Sequence, residues 1–231
     1  MGELEREFGN EISRKAIVLD IGGFRPHEDP MTSWFGKVSF GKPGEEWPKQ
    51  DGFPMHALAQ VNLLELPFRP NGLEDFEFIC VFVGPRGLPN DEPNGTKWLI
   101  RTYKNISELV SLEEAETESW LKPFPMKPRL VDNDYPCWED VPVVCPEEIE
   151  DRYYDLYDNV GGFKLGGWPS LVQSEIFWAP WNKHKAVPEY VFQIDTTEKG
   201  NWMCGDNGVG YFGRGTAKGK ENEWALAWQC Y

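Results

Sequence analysis

The residue types that carry most enzyme chemistry are few and scattered in this chain. Imidazole is supplied by His27, His56 and His184, and thiol by Cys80, Cys137, Cys145, Cys204 and Cys230. None stands at a metal-binding spacing: there is no HExxH, and Cys137 and Cys145 lack flanking ligands, so no metal site is expected. Asp195 and Asp206 with His56 would form a carboxylate pair able to divide acid and base roles. Cys204 with His56 would form a thiol–imidazole dyad. Each has a simpler reading. Asp206 belongs to an Asp-Asn-Gly turn, and Cys204 precedes Gly205 with nothing to mark an activated thiolate. The run Gly205–Gly210 has no lysine and leads into strand rather than helix, which makes it a hairpin turn and not a phosphate loop. No nucleophile elbow, P-loop or dinucleotide fingerprint occurs. The expectation is no catalytic residue and no cofactor: the chain binds rather than reacts.

Charge says more. The 231 residues include 38 acids against 23 bases, a net charge of −15. Such a surface repels nucleic acid and anionic membrane, so neither is expected as a partner. Between Asp132 and Asp158 stand ten acids, with Arg152 as the only base. Glu147, Glu148, Glu150, Asp151, Asp155 and Asp158 are the candidate contacts for a basic protein partner, which such a surface would steer into encounter. The bland alternative is a solvated face that keeps the chain soluble. The eleven Trp residues divide the same way, between a large aromatic core, the simpler reading, and a Trp-lined groove. The N-terminus is charged from Glu3 onward without the apolar core of a signal peptide. No apolar stretch approaches the ~20 residues of a membrane helix. Five unevenly spaced cysteines do not form a secreted disulfide framework, so a cytoplasmic location is expected.

The elements that must position these residues are mostly strands. Residues 1–15 read as a polar helix and 16–20 as a strand. A Pro- and Gly-rich stretch follows. Apolar runs at 58–66, 76–83, 98–103, 189–197, 208–215 and 224–231 read as strands. Residues 105–119 carry a helical pattern, and 120–145 look Pro-rich and irregular. The clearest helix runs from Pro146 to Gly161-Gly162, with Ile149, Tyr153, Leu156 and Val160 as one apolar stripe and the acids elsewhere.

Two blocks of the chain look alike, about 33–103 and 163–231. Gly36 and Gly166 stand 130 residues apart, and Gln60 and Gln193 stand 133 apart. Each block gives a turn, a strand with Gln-aliphatic-Asn/Asp, then a hydrophobic strand. Gln60 and Asn62, like Gln193 and Asp195, are two apart and share a strand face. One reading is that these side chains tie loops to the sheet through buried hydrogen bonds. The other is that all four line a polar ligand site in a cleft between the halves, with Trp34 or Trp168.

The segments SWFGKVSFGKPGEEWP, PMHALAQVNLLELP, KLGGWPSLVQ, VFQID, CGDNGVGYF and WALAWQC run in order from Ser33 to Cys230. Through them the chain resembles the YwqG-like family of bacterial proteins. It departs at Lys37-Val38, where that pattern has a second glycine, which bears on the first loop. The resemblance implies one domain over 1–231 with an α+β fold: mostly antiparallel sheets from two duplicated halves, with a few peripheral helices. It also implies a bacterial origin and a setting near polymorphic-toxin genes. The expected function is an immunity or interaction protein that neutralises a basic bacterial toxin, such as a nuclease, through its acidic surface. The alternative is a small-ligand-binding protein or sensor.

Overall fold

The computed structural model describes residues 2–26, 28–89, 92–178 and 183–231; His27 lies outside them. The apolar runs at both ends of the chain form strands, because β-branched and aromatic side chains suit a pleated surface buried on one or both faces. Ten strands join one sheet: β1 (Arg14–Ile21), β2 (Trp34–Phe35), β3 (His56–Asn62), β4 (Phe78–Val83), β5 (Trp98–Tyr103), β6 (Phe124–Asp134), β7 (Lys164–Gly166), β8 (Pro188–Asp195), β9 (Val209–Gly215) and β10 (Trp224–Gln229). Their order is β5-β4-β3-β2-β6-β1-β7-β8-β9-β10, and every pairing is antiparallel. From either edge inward the order is a three-strand meander, a short strand, then one of the two long central strands, β6 or β1.

The sheet curls until it is nearly closed. Trp98 on β5 meets Phe212 on β9 with ring centroids 5.9 Å apart. Inside lies one apolar core to which both halves contribute, including Phe35, Leu58, Val61, Ile79 and Val81 from one and Leu165, Phe192, Ile194 and Phe212 from the other. The outer face of β3–β5 carries a second apolar cluster of Val38, Phe40, Trp47, Phe78, Cys80, Phe82 and Tyr103. A third joins helix α1 (Glu3–Ile12) to the short helices α2 (Glu147–Glu150) and α3 (Tyr153–Leu156). Among the described residues no helix is long and apolar enough to cross a membrane.

Three segments depart from the sequence reading. The irregular stretch at 120–145 contains β6, an eleven-residue central strand. Proline is tolerated there because β2 covers only Phe124 and Pro125, so Pro128 falls where one edge of β6 is bare. The helical pattern at 105–119 yields a single 3₁₀ turn at Ile106–Glu108 and a two-residue strand at Val110–Ser111. Its apolar residues Ile106, Leu109, Leu112 and Ala115 instead pack as a strap against the outer cluster. The helix expected from Pro146 onward is broken into α2 and α3. Arg152 leaves helical geometry (φ −118°, ψ 9°) and pairs with Glu5 at 3.0 Å. Tyr153 and Tyr157 take the buried positions, donating hydrogen bonds to the carbonyls of Pro136 and Glu5.

Candidate functional site

The turn after each short strand is built in the same way. Gly36 and Gly166 take left-handed φ values of 68° and 67°, which glycine adopts without steric cost. Trp34 lies opposite Gln60 in the register, and Lys164 lies opposite Gln193. Each glutamine is fully buried, and its Oε1 accepts a 2.8 Å hydrogen bond from a serine amide beyond the turn, Ser39 in one case and Ser170 in the other. Gln60 also donates to the carbonyls of Pro30 and Thr32. Asn62 accepts from the amide of Leu64. These contacts tie loops to the sheet. Gln60 and Gln193 stand five strand spacings apart in the order, and neither lines the cleft of about 810 Å³ beside Trp168. Of the four residues expected to form a ligand site between the halves, only Asp195 borders an open pocket, a separate one of about 390 Å³.

Around Gln193 the outer face is polar. Asp134 arrives at the end of β6, and Lys164 bonds both of its carboxylate oxygens, at 3.0 and 3.3 Å, with both side chains wholly buried. The carboxylate also accepts from the amides of Val160 and Trp168. Lys164 reaches Ser170 Oγ as well, so no hydrogen-bonding group of the pair is stranded. Burial pulls Lys164 below the usual lysine range, with Asp134 opposing. Burial lifts Asp195 above the usual carboxylate range, against hydrogen bonds from Gly162 and Gln193. Tyr211 donates to the carbonyl of Ser170 and lies against Gln229. Gly167 must be glycine: its φ is 67°, and a Cβ there would meet Asp134 Oδ2 at 2.2 Å.

This network holds one wall of an open cleft of about 810 Å³. Its lining comes from the start of β1 (Arg14, Lys15), the 68–71 loop of the first half, the 166–178 segment, Asp140, and the start of β8 (Glu189, Tyr190). Trp168, proposed for a ligand site, does line it; Trp34 does not. Trp168 is held by a hydrogen bond from its Nε1 to the carbonyl of Ile12, and the Arg14 guanidinium stacks 3.3 Å from its ring centroid.

The second candidate surface is acidic. Phe8 and Ile12 of α1 pack with Ile149, Tyr153 and Tyr157, so α1 and α2–α3 form one unit. Glu147, Glu148, Glu150, Asp151, Asp155 and Asp158 are all exposed, and among the described residues none makes an ion pair. Glu3, Glu7 and Glu11 are exposed on α1 in the same unit. The sequence reading overlooked them, although their spacing of four is a helical-face signal. Two acids of the dense segment serve elsewhere: Asp134 is in the buried pair, and Asp132 faces Lys15 at 3.8 Å.

Among the described residues no side-chain hydrogen bond joins Asp195, Asp206, His56 and Cys204, the residues considered for catalysis. Asp206 is exposed. His56 is buried against Trp120, centroids 4.5 Å apart, and neither ring nitrogen has a hydrogen-bond partner among the described residues. Cys204 is buried in the shared core, and its thiol is pushed up to about 12 by burial, so at neutral pH it is not a thiolate.

A family model described as a domain of unknown function (DUF1963) matches residues 33–228, from just before β2 into β10. No curated protein matches the chain.

Proposed function

Because the chain belongs to the family described as a domain of unknown function (DUF1963), a description that assigns no activity, we propose its role from its own surface: it is an interaction protein that docks a basic protein partner on the acidic unit of α1, α2 and α3. The observation that carries this reading is the set of six exposed acids that make no ion pair among the described residues, joined by Glu3, Glu7 and Glu11 through the packing of α1. Unneutralised charge held on a rigid unit raises association rate and selects partners of opposite sign. A nuclease that grips phosphate is basic by necessity, so a nuclease toxin neutralised by an immunity protein is the partner class we favour. The YwqG-like resemblance is the reason for choosing it.

The test compares the tagged wild-type chain with a Glu147→Lys, Glu148→Lys, Asp151→Lys, Asp155→Lys variant as baits in the source cells. We expect a stoichiometric basic partner on the wild type, lost from the variant and released as salt rises. A partner held equally by both baits would place the interface elsewhere.

We further infer that the two halves arose by duplication. The matched order of strands from either edge, the paired glycines Gly36 and Gly166 and the glutamine-to-serine ties support it.

A further inference from the structure

The cleft beside Trp168 is independent of the acidic face and has its own chemistry. Its volume of about 810 Å³ falls in the range of small-molecule sites. Its walls are aromatic, with Phe68, Trp168, Trp178 and Tyr190, and Pro70 and Pro169 between them. Two charged side chains of opposite sign line it. Arg14 is fixed by stacking on Trp168, yet its guanidinium makes no hydrogen bond or ion pair with any described residue. Asp140 is half-buried, and its carboxylate likewise bonds no described residue. Asp140 is the foremost charge acting on Arg14, but the two do not close into a pair. Lys15 and Glu189 repeat the two signs in the same lining. A stacked arginine whose donors meet no described residue is suited to a carboxylate, and a carboxylate that bonds no described residue is suited to an ammonium.

We propose that this cleft binds the head group of a free α-amino acid with a large aromatic side chain. The α-carboxylate bonds Arg14, the α-ammonium bonds Asp140, and the side chain lies among Trp168, Trp178 and Phe68. An α-amino acid carries both charges on one carbon, which matches an arginine and an aspartate that line one cleft without closing into a pair. The aromatic walls account for the rest of the molecule.

The experiment is saturation-transfer NMR on the full chain with three probes: L-phenylalanine, phenethylamine, which lacks the carboxylate, and 3-phenylpropionate, which lacks the ammonium. L-Phenylalanine is expected to bind, with each truncated probe about ten-fold weaker or more, the equivalent of one lost charge-assisted hydrogen bond. Arg14→Gln removes the advantage of L-phenylalanine over phenethylamine, and Asp140→Asn removes its advantage over 3-phenylpropionate. Arg14 is exposed, so Arg14→Gln leaves the fold intact, and an unchanged thermal midpoint confirms that. No transfer to L-phenylalanine at millimolar concentration overturns the proposal. So does equal binding of all three probes that neither variant alters, because that would make the cleft merely an apolar surface.

Discussion

The outer faces of the two halves of the sheet differ in what they bury. On β3–β5 the outer face, apart from Gln60, Arg101 and the Tyr103 hydroxyl bonded to Glu45, is apolar: Phe78, Phe82, Cys80 and the Tyr103 ring, closed over by Trp47 and by the strap that carries Leu109, Leu112 and Ala115. On β7–β9 the corresponding face carries Lys164, Gln193 and Tyr211, with Asp134 and Ser170. Next to it lies the cleft of about 810 Å³ at Gly166–Trp168, whereas the pocket beside Gly36 and Lys37, bordered by Glu114, Thr117 and Ser119 of the strap, is about half that size at about 410 Å³. The turn is locked by a glutamine on both sides. What differs is that one side spends its outer surface on packing and the other holds a buried charge pair at the wall of a cavity. A buried ion pair is weak evidence for stability. Its contacts point to positioning: Asp134 receives the amide of Trp168, and so sets where the ring that supports Arg14 stands.

The largest effect should come from breaking that pair. Lys164→Met leaves the Asp134 carboxylate buried without its counter-ion, a loss of about 3–5 kcal/mol for such pairs, read from urea unfolding. A loss under ~1 kcal/mol would mean that the carboxylate takes a proton or water cheaply. The charge would then not be what distinguishes the second half.

A smaller effect, and a sharper comparison, comes from the two glutamines. Gln60→Leu strips the amide of Ser39 and the carbonyls of Pro30 and Thr32 of their partners. Gln193→Leu strips the amide of Ser170 and takes a donor from Asp195. Unsatisfied buried groups cost about 1–3 kcal/mol each, so each variant should lose about 2–3 kcal/mol, with Gln193→Leu the more damaging because it exposes a carboxylate's deficit. Hydrogen exchange at the amides of Ser39 and Ser170 should accelerate in the matching variant only. Equal losses in both variants would reduce Gln193 to a turn lock, with no further part in the polar face.

The contrast between these faces was only partly legible in the sequence. The apolar runs of β4, β5, β9 and β10 have the length and composition of strands, and Gln60 and Gln193 stand out by their equal context. β6 was hidden because Pro125 and Pro128 normally exclude a central strand; Pro128 is permitted because the short β2, which ends opposite Pro125, leaves that edge bare. The strap at 105–119 was hidden because apolar residues spaced by three fit a helix as well as an irregular segment lying on a flat cluster. The acidic unit was legible along α2 and α3, but its α1 side depends on contacts between segments over 130 residues apart, such as Tyr157 with Glu5. The cleft was legible at Trp168 alone. Arg14, Asp140 and Trp178 meet only because β1 is paired between β6 and β7, a register that no local pattern encodes.

The smallest effect tests the apolar half by pH. His56 lies 2% exposed, its ring nitrogens have no partner among the described residues, and burial holds its pKa below 6.5. In the unfolded chain the same imidazole titrates near 6.5. As pH falls through 6.5, the unfolded state therefore gains a proton that the folded state does not yet accept. Stability is complete above that pH and drains away toward the lower folded pKa. Asp140 and Asp195, which burial holds above their ordinary value, act with the opposite sign, so the wild type alone does not isolate the effect. His56→Leu does, because only the imidazole changes between the two proteins. The variant should gain about 1 kcal/mol at pH 7.5 by removing an unsatisfied N–H, and its lead should widen at pH 5.5. Parallel urea midpoints for the two proteins at both pH values would mean that the ring is hydrated or paired. The β3–β5 half would then hold a polar site of its own, on the inner side opposite Val83, and the division between a packed half and a polar half would fail.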